Sequence, residues 1–164
     1  MEDYFEPAIH IRHNDYNSSL LLKYVDHSSN NTGNGINETV ITLKDDKYPV
    51  TVKLHYVAYD KENIIRTFTE ISHEEKKPVI LSKYASSMLH LNSSKYFLTE
   101  FSGDWAHEAN VTERELAFGK KVIDTKLGAR ANMFVSPFFQ LALDNPSQEN
   151  AGEVLVGTIG WTGN

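Results

Sequence analysis

Residues 50–59 alternate with a period of two, and this pattern constrains the fold more than any other feature of the chain. Val50, Val52, Leu54 and Tyr56 occupy one set of alternate positions, and the intervening residues are mostly polar or amphipathic. Such alternation places one set of side chains on the core face of a β-strand, whereas a helix would need apolar residues three and four apart. The segment therefore predicts a strand over its whole length.

Similar short runs, rich in β-branched and aromatic residues, recur along the whole sequence. They are Ala8–Arg12, Leu20–His27, Thr39–Lys44, Ile64–Ile71, Val79–Ser86, Ser87–Leu91, Tyr96–Phe101, Lys121–Leu127, Phe138–Leu143 and Val154–Trp161. Many strands at a spacing of roughly 8 to 12 residues are typical of a sandwich or barrel. We predict a single all-β domain over residues 1–164, a large antiparallel two-sheet β-sandwich with little or no helix.

Turn-forming residues separate these runs. Asn30–Gly35 is predicted to be a flexible loop, Asp45–Pro49 and Tyr59–Asn63 hairpin connections, and Asp144–Gly152 a longer turn. The segment Thr112–Glu115 has the form of a helix capping box, but little apolar periodicity follows it. We expect one helical turn there at most.

Some predicted strands carry apolar residues on both faces, as in Phe138–Phe139 and Val154–Val156. Strands of this kind need cover on both sides. We therefore expect outer sheet faces that meet a surface outside this chain.

Composition excludes several classes of protein. The 164 residues carry a formal net charge of -6, without a basic patch of the kind that binds nucleic acid. There is no cysteine, so disulfides and thiolate metal sites are excluded, which suits a reducing cytoplasm. No apolar run is long enough to span a bilayer, and the first residues are acidic, unlike a signal peptide. We predict a cytoplasmic protein without nucleic-acid or membrane partners.

The usual catalytic and cofactor signatures are missing. His10 and His13 are three positions apart, so on a strand they face opposite ways, and no third ligand accompanies them. Ser102 precedes Gly103 without the nucleophile-elbow pattern, and no glycine loop leads into a helix that could hold phosphate. We predict neither a metal site nor a cofactor.

The segment Phe101–Asn110 contains Trp105 between the acids Asp104 and Glu108. An indole beside a carboxylate can bind a sugar, because the ring covers the C–H face while the acid accepts hydroxyl hydrogen bonds. The same tryptophan can equally be a core anchor under a loop. Nearness in sequence does not give the two acids the separation or the raised pKa that glycoside hydrolysis requires. We predict that they are not a catalytic pair.

Trp161 is the stronger candidate for a sugar platform. It follows the apolar run 154–159 and lies between Gly160 and Gly163, which leave room for a ligand to approach the indole. Asp3, beside Tyr4, is a second candidate near the start of the chain.

Four ordered segments carry a family resemblance over nearly the whole chain. They are residues 41–56, residues 96–110, residues 126–130 with 137–139, and residues 152–164. Together they resemble the amino-terminal domain of microbial α-galactosidases of glycoside hydrolase family 36. The segment 3–9 is similar to a part of that domain some way from its start.

The resemblance implies a larger enzyme, of which this chain is an excised part. It implies a β-supersandwich here, followed in the parent protein by a (β/α)8 barrel whose two aspartates remove α-linked galactose with retention of configuration. No catalytic residue is then expected in this chain. Asp3 and Trp161 match substrate-binding positions of the family, and Asp104 and Trp105 match a motif that we expect to hold a loop in place. The family also implies contact with the barrel and assembly as a tetramer.

Two residues differ from the family pattern and affect which family roles can be assigned to this chain. The chain has Phe5 and His107 where the family usually has arginine. A salt bridge or sugar hydrogen bond made by those arginines is lost or replaced, and Phe5 lies close to Asp3.

Two other functions remain open at this stage. One is a free-standing carbohydrate-binding module without an enzyme partner, and the other is a purely structural sandwich that buries Trp161.

Overall fold

The computed structural model describes residues 6–124 and 134–160. These residues form ten strands and no helix: β1 Ile9–Arg12, β2 Leu22–Gly33, β3 Ile36–Asp45, β4 Val50–Tyr59, β5 Ile64–His73, β6 Ile80–Tyr84, β7 Tyr96–Asp104, β8 His107–Glu115, β9 Val135–Leu143 and β10 Val154–Thr158. The chain divides into two compact units, Met1–His90 and Leu91–Asn164. All strand pairs are antiparallel, so the predicted all-β class is confirmed.

The first unit contains two sheets. Strands β2, β3, β4 and β5 form one sheet in chain order, and β1 pairs with β6 in the other. Ile9 and Ile11 of β1 pack against Val50 and Val52 of β4, and these four side chains are the buried core of the unit. The predicted alternation of β1 and β4 thus selects the faces that meet.

Short polar turns set the register of the four-stranded sheet. Gly33, Asn34 and Gly35 all have positive φ between β2 and β3, a conformation that glycine and asparagine tolerate better than other residues. Strand β2 continues to Gly33, beyond the predicted start of the loop at Asn30, because Asn30 and Asn31 still pair with β3. The pairing of the hairpin, rather than apolar burial, extends this strand.

The second unit is one antiparallel sheet in the order β10-β9-β7-β8. Leu98 and Thr99 on β7 and Ala142 on β9 are its buried residues among those described. Phe101 and Phe138 lie on one face with ring centroids 5.2 Å apart. The runs predicted as strands over 96–101 and 138–143, and residues 154–158 of the run predicted over 154–161, therefore meet in this sheet.

Three further segments differ from the predicted strands. Thr112–Glu115 has no helical turn, within the expectation of one at most, but it lies in strand β8, which was not predicted, because these residues pair with β7. Residues 87–91 form no strand, and neither do residues 121–124; the remainder of the run predicted over 121–127 lies outside the described residues. Strand β8 was not predicted because its residues are mostly polar. Residues 87–91 and 121–124 were predicted as strands because they contain apolar residues, but they form none.

The β7–β8 hairpin closes through a strained turn. Asp104 pairs with His107, and Ala106 between them has φ of 62°. A left-handed conformation costs an alanine about 1 to 2 kcal/mol because its Cβ approaches a carbonyl oxygen.

Phe139 of β9 lies over Gly157 of β10, directly across the sheet. A Cβ added at Gly157 would lie 2.4 Å from Cζ and 2.6 Å from Cε1 of that ring. Glycine is thus required at position 157 because the Phe139 ring lies too close to leave room for a side chain.

We expect Ala106→Gly to stabilise the chain by about 1 kcal/mol, because glycine adopts the left-handed conformation without strain. Urea denaturation of the 164-residue chain measures the change. Ala58→Gly, at the next-to-last position of β4 and paired with strands on both sides, is the control, and should destabilise by about 0.5 to 1 kcal/mol. Loss of stability in both variants would contradict the strain at Ala106.

We expect Gly157→Ala to destabilise the chain by about 1 to 3 kcal/mol, because Phe139 must leave its position. Gly160→Ala is the matched control, since no atom lies within 4 Å of a Cβ placed there. The midpoint of the same denaturation curve reports both. Equal midpoints for the two variants would show that the ring moves without cost.

Candidate functional site

The two residues predicted to bind substrate, Asp3 and Trp161, lie outside the described residues, as does Phe5. The described segment before Trp161 is open: Ile159 is exposed, and Gly160 has free space where a side chain would be. The room that the sequence predicts beside the indole stays a prediction, because Trp161 itself lies outside the described residues.

Asp104 and Trp105 lie at the tip of the β7–β8 hairpin. The Asp104 carboxylate accepts the backbone N–H of Trp105 at 2.7 Å, an interaction that fixes the start of the turn. The indole itself is 84% exposed, so the described residues do not bury it. An anchoring role for Trp105 would need a surface beyond these residues and stays a prediction.

A buried polar network in the first unit surrounds His13, just after β1. Its Nδ1 lies 2.6 Å from Oε1 of Glu75, and its Nε2 lies 3.0 Å from the carbonyl oxygen of Ser19. The ring stacks on Tyr48 with centroids 3.5 Å apart and planes within 6°. The Tyr48 hydroxyl donates to Asp15 at 2.9 Å. The network links the connections that follow β1, β3 and β5.

The carboxylates of this network are held ionised. Burial alone would raise the pKa of Glu75, but hydrogen bonds from the Asn14 backbone and the His13 ring outweigh it and lower the pKa. The Asn17 backbone N–H, followed by the Tyr48 hydroxyl, lowers the pKa of Asp15. Ionised acceptors suit a network that positions loops, whereas a general acid needs a raised pKa.

Sequence analysis singled out His13 only as half of a metal pair with His10. The structure separates the two: His13 is 3% exposed, whereas His10 is exposed and bonds to Ser82 at 2.9 Å. The missed signal is that Ile9, Ile11 and His13 continue one alternation, so His13 belongs to the buried face.

Two carboxylates in the second unit, Glu100 and Asp144, contact side chains of the same unit. Glu100 of β7 forms ion pairs with Arg114 at its Oε2 and with Lys121 at its Oε1, each at 2.9 Å, and the Arg114 contact lacks hydrogen-bond geometry. Asp144 after β9 accepts the hydroxyls of Ser93 and Ser94, which lower its pKa together with backbone N–H groups. Each carboxylate is thus occupied by groups of its own unit.

Apolar side chains remain exposed on the second unit. Val111 of β8, Val156 of β10 and Ile159 are each more than half exposed. Such residues agree with the expectation that the sheet meets another surface. Among the described residues, no helix has the length and apolar character needed to cross a bilayer.

Comparison with known proteins gives the family. The family model of the glycosyl hydrolase family 36 N-terminal domain matches residues 1–164. Alpha-galactosidase 2 of Pediococcus pentosaceus is 27% identical over 177 aligned residues, which cover 99% of this chain and 24% of that protein. Probable alpha-galactosidase G of Aspergillus terreus is 25% identical, over 98% of this chain and 24% of that protein.

Solved structures with a similar fold come from the same family of enzymes. The crystal structure of the GH36 alpha-galactosidase AgaA from Geobacillus stearothermophilus superposes with a TM-score of 0.80 at 23% identity, over 93% of this chain and 23% of that one. The chain thus spans about a quarter of the length of the relatives that it matches. Since the family model matches it from residue 1 to residue 164, the chain belongs to the N-terminal domain family of glycosyl hydrolase family 36.

Proposed function

We propose that this chain is the non-catalytic N-terminal domain of an α-galactosidase that removes terminal α-linked galactose with retention of configuration. The family match over the whole chain is the observation that carries the proposal. The length of the relatives supports it, since they are about four times as long and are named as α-galactosidases. The catalytic aspartates then belong to a barrel outside these residues.

The proposal assigns this chain two tasks in the parent enzyme. Trp161 and Asp3 line the sugar site, the indole covering the C–H face of galactose and the carboxylate accepting hydroxyl hydrogen bonds. The exposed apolar residues of the second unit, with Trp105, contact the barrel or a neighbouring subunit of a tetramer. The two compact units act as one domain, and the enzyme works in the cytoplasm.

The isolated 164-residue chain should not hydrolyse a chromogenic α-galactoside, whereas the parent protein should. Release of nitrophenol at pH 5 to 7 measures both. Asp104→Asn in the isolated chain is the control for an unexpected activity. Turnover that this substitution abolishes would place catalysis on the hairpin and overturn the non-catalytic assignment.

In the parent protein, Trp161→Ala should reduce kcat/KM by a factor that corresponds to about 1 to 3 kcal/mol of lost transition-state stabilisation, the scale of a lost stacking contact. Trp105→Ala is the matched control, because it removes an indole that we place at a domain contact. It should leave KM for small galactosides unchanged while lowering the thermal midpoint. Unchanged kinetics for Trp161→Ala in a folded protein would count against the substrate role.

Calorimetry separates this proposal from a free-standing sugar-binding module. A domain that supplies only part of a sugar site should give no measurable heat with raffinose or melibiose, because most of the polar contacts are missing. Binding by the isolated chain, weakened by loss of either tryptophan, would favour the free-standing module.

A further inference from the structure

We propose that the loop of residues 13–19 is held in place by a buried imidazolium–carboxylate pair, His13 and Glu75, which makes it a pH-dependent latch. The geometry points to the charged form of the histidine. Its Nδ1 lies 2.6 Å from Glu75 Oε1 and its Nε2 lies 3.0 Å from the Ser19 carbonyl oxygen. A carbonyl and an ionised carboxylate only accept, so both ring nitrogens must carry protons.

The alternative is a neutral pair in which a protonated Glu75 donates to His13. Two observations oppose it. The other oxygen of Glu75 accepts the Asn14 backbone N–H at 3.0 Å, which stabilises the carboxylate. Hydrogen bonds to Glu75 also outweigh its burial and lower its pKa. The pair is therefore best described as a charge-assisted hydrogen bond, which is shorter and stronger than a neutral one.

The groups that face His13 come from every connection around it. Glu75 lies after β5, Asp45 ends β3, Tyr48 lies between β3 and β4, and Asp15 belongs to the loop itself. Backbone N–H groups are the main cause of the lowered pKa of the three carboxyl groups, burial opposes them at Glu75 and Asp45, and the charge of His13 adds a smaller lowering. His73 acts in the same direction on Glu75. Loss of the His13 proton would leave three carboxylates without their central cation.

Tyr48 does not compete for this role. Burial, together with its hydrogen bond to Asp15, raises its pKa, so it stays a neutral phenol. Its ring covers the imidazolium in a parallel stack, which favours a cation over a neutral ring.

The loop that the latch holds is strained and exposed. The N–H of His13 donates to the Asn17 carbonyl at 2.8 Å, and the N–H of Tyr16 donates to the His13 carbonyl at 3.0 Å. Tyr16 has φ of 68°, an unusual value for a bulky residue, and is 80% exposed. Without the latch, the loop keeps only hydrogen bonds within itself and the contacts of Asp15 with Tyr48 and of Tyr16 with Arg12, so it should loosen.

The sign of the pH dependence follows from the two partners. Because the pKa of Glu75 is lowered, its contribution to stability is present above the ordinary glutamate range and is lost as the pH falls through the folded value. His13 needs both ring protons to donate to Glu75 and to the Ser19 carbonyl at the same time, so the latch also requires the imidazolium. The latch therefore weakens as the pH falls through the folded pKa of Glu75, and it fails wherever His13 lacks either proton.

Nuclear magnetic resonance of the 164-residue chain tests the charge directly. Long-range proton–nitrogen correlations at pH 6 should show both His13 ring nitrogens protonated. As the pH is raised, loss of that pattern should coincide with a fall of about tenfold in the protection factor of the Asn14 amide, which is the exchange rate corrected for its intrinsic pH dependence. A single neutral tautomer at pH 6, or a protection factor that does not change when the pattern is lost, would overturn the proposal.

A pair of variants tests the consequence for stability. His13→Gln should lower the thermal midpoint at pH 6, and the gap to the unmodified chain should narrow as the pH is raised towards 9. His10→Gln, an exposed residue of the same segment, should change the midpoint at neither pH. A gap for His13→Gln that is independent of pH would refute the latch. If that variant does not fold, the resonance measurement on the unmodified chain decides.

Discussion

The first unit depends on the contact between two strands, β1 and β4. Ile11, Val50 and Val52 are the largest side chains with less than 2% exposure among the described residues. Burial of each contributes about 1.5 to 3 kcal/mol, and the contact joins a two-stranded sheet, which is marginally stable alone, to a four-stranded one. The polar network follows from the same contact, because His13 is the next inward position after Ile9 and Ile11.

Strands with a buried, alternating face could be predicted from the sequence with good bounds. Val50–Tyr59 was predicted as a strand and is β4, in which Val50 and Val52 are buried and the residues from Leu54 onward are all half-buried. Strand β8 was missed because its residues are polar and its stability comes from pairing with β7, which no local pattern reveals. The extension of β2 to Gly33 was missed for the same reason. Cross-strand hydrogen bonding acts between distant residues, whereas periodicity is a local property.

The site was less predictable than the fold. The sequence marked Trp105 as a notable residue but could not tell a buried ring from an exposed one, because both occur beside turn residues. Its exposure of 84% is a property of the hairpin tip. The charge of His13 was equally hidden, since Glu75 and Ser19 come from different connections and meet only in the folded unit. The candidate substrate residues rest on family resemblance and not on a pattern in this chain.

Strand β10 carries a further consequence for anyone who handles this domain. Among the described residues it is an edge of its sheet, and Val154–Thr158 contains neither a charge nor a proline. Its outer row of N–H and C=O groups can pair with another chain, and Val156 offers that chain an apolar contact. Charged residues normally guard such edges against aggregation. These five residues therefore leave the edge open to pairing between copies, and a lysine on the outer face of β10 would oppose it.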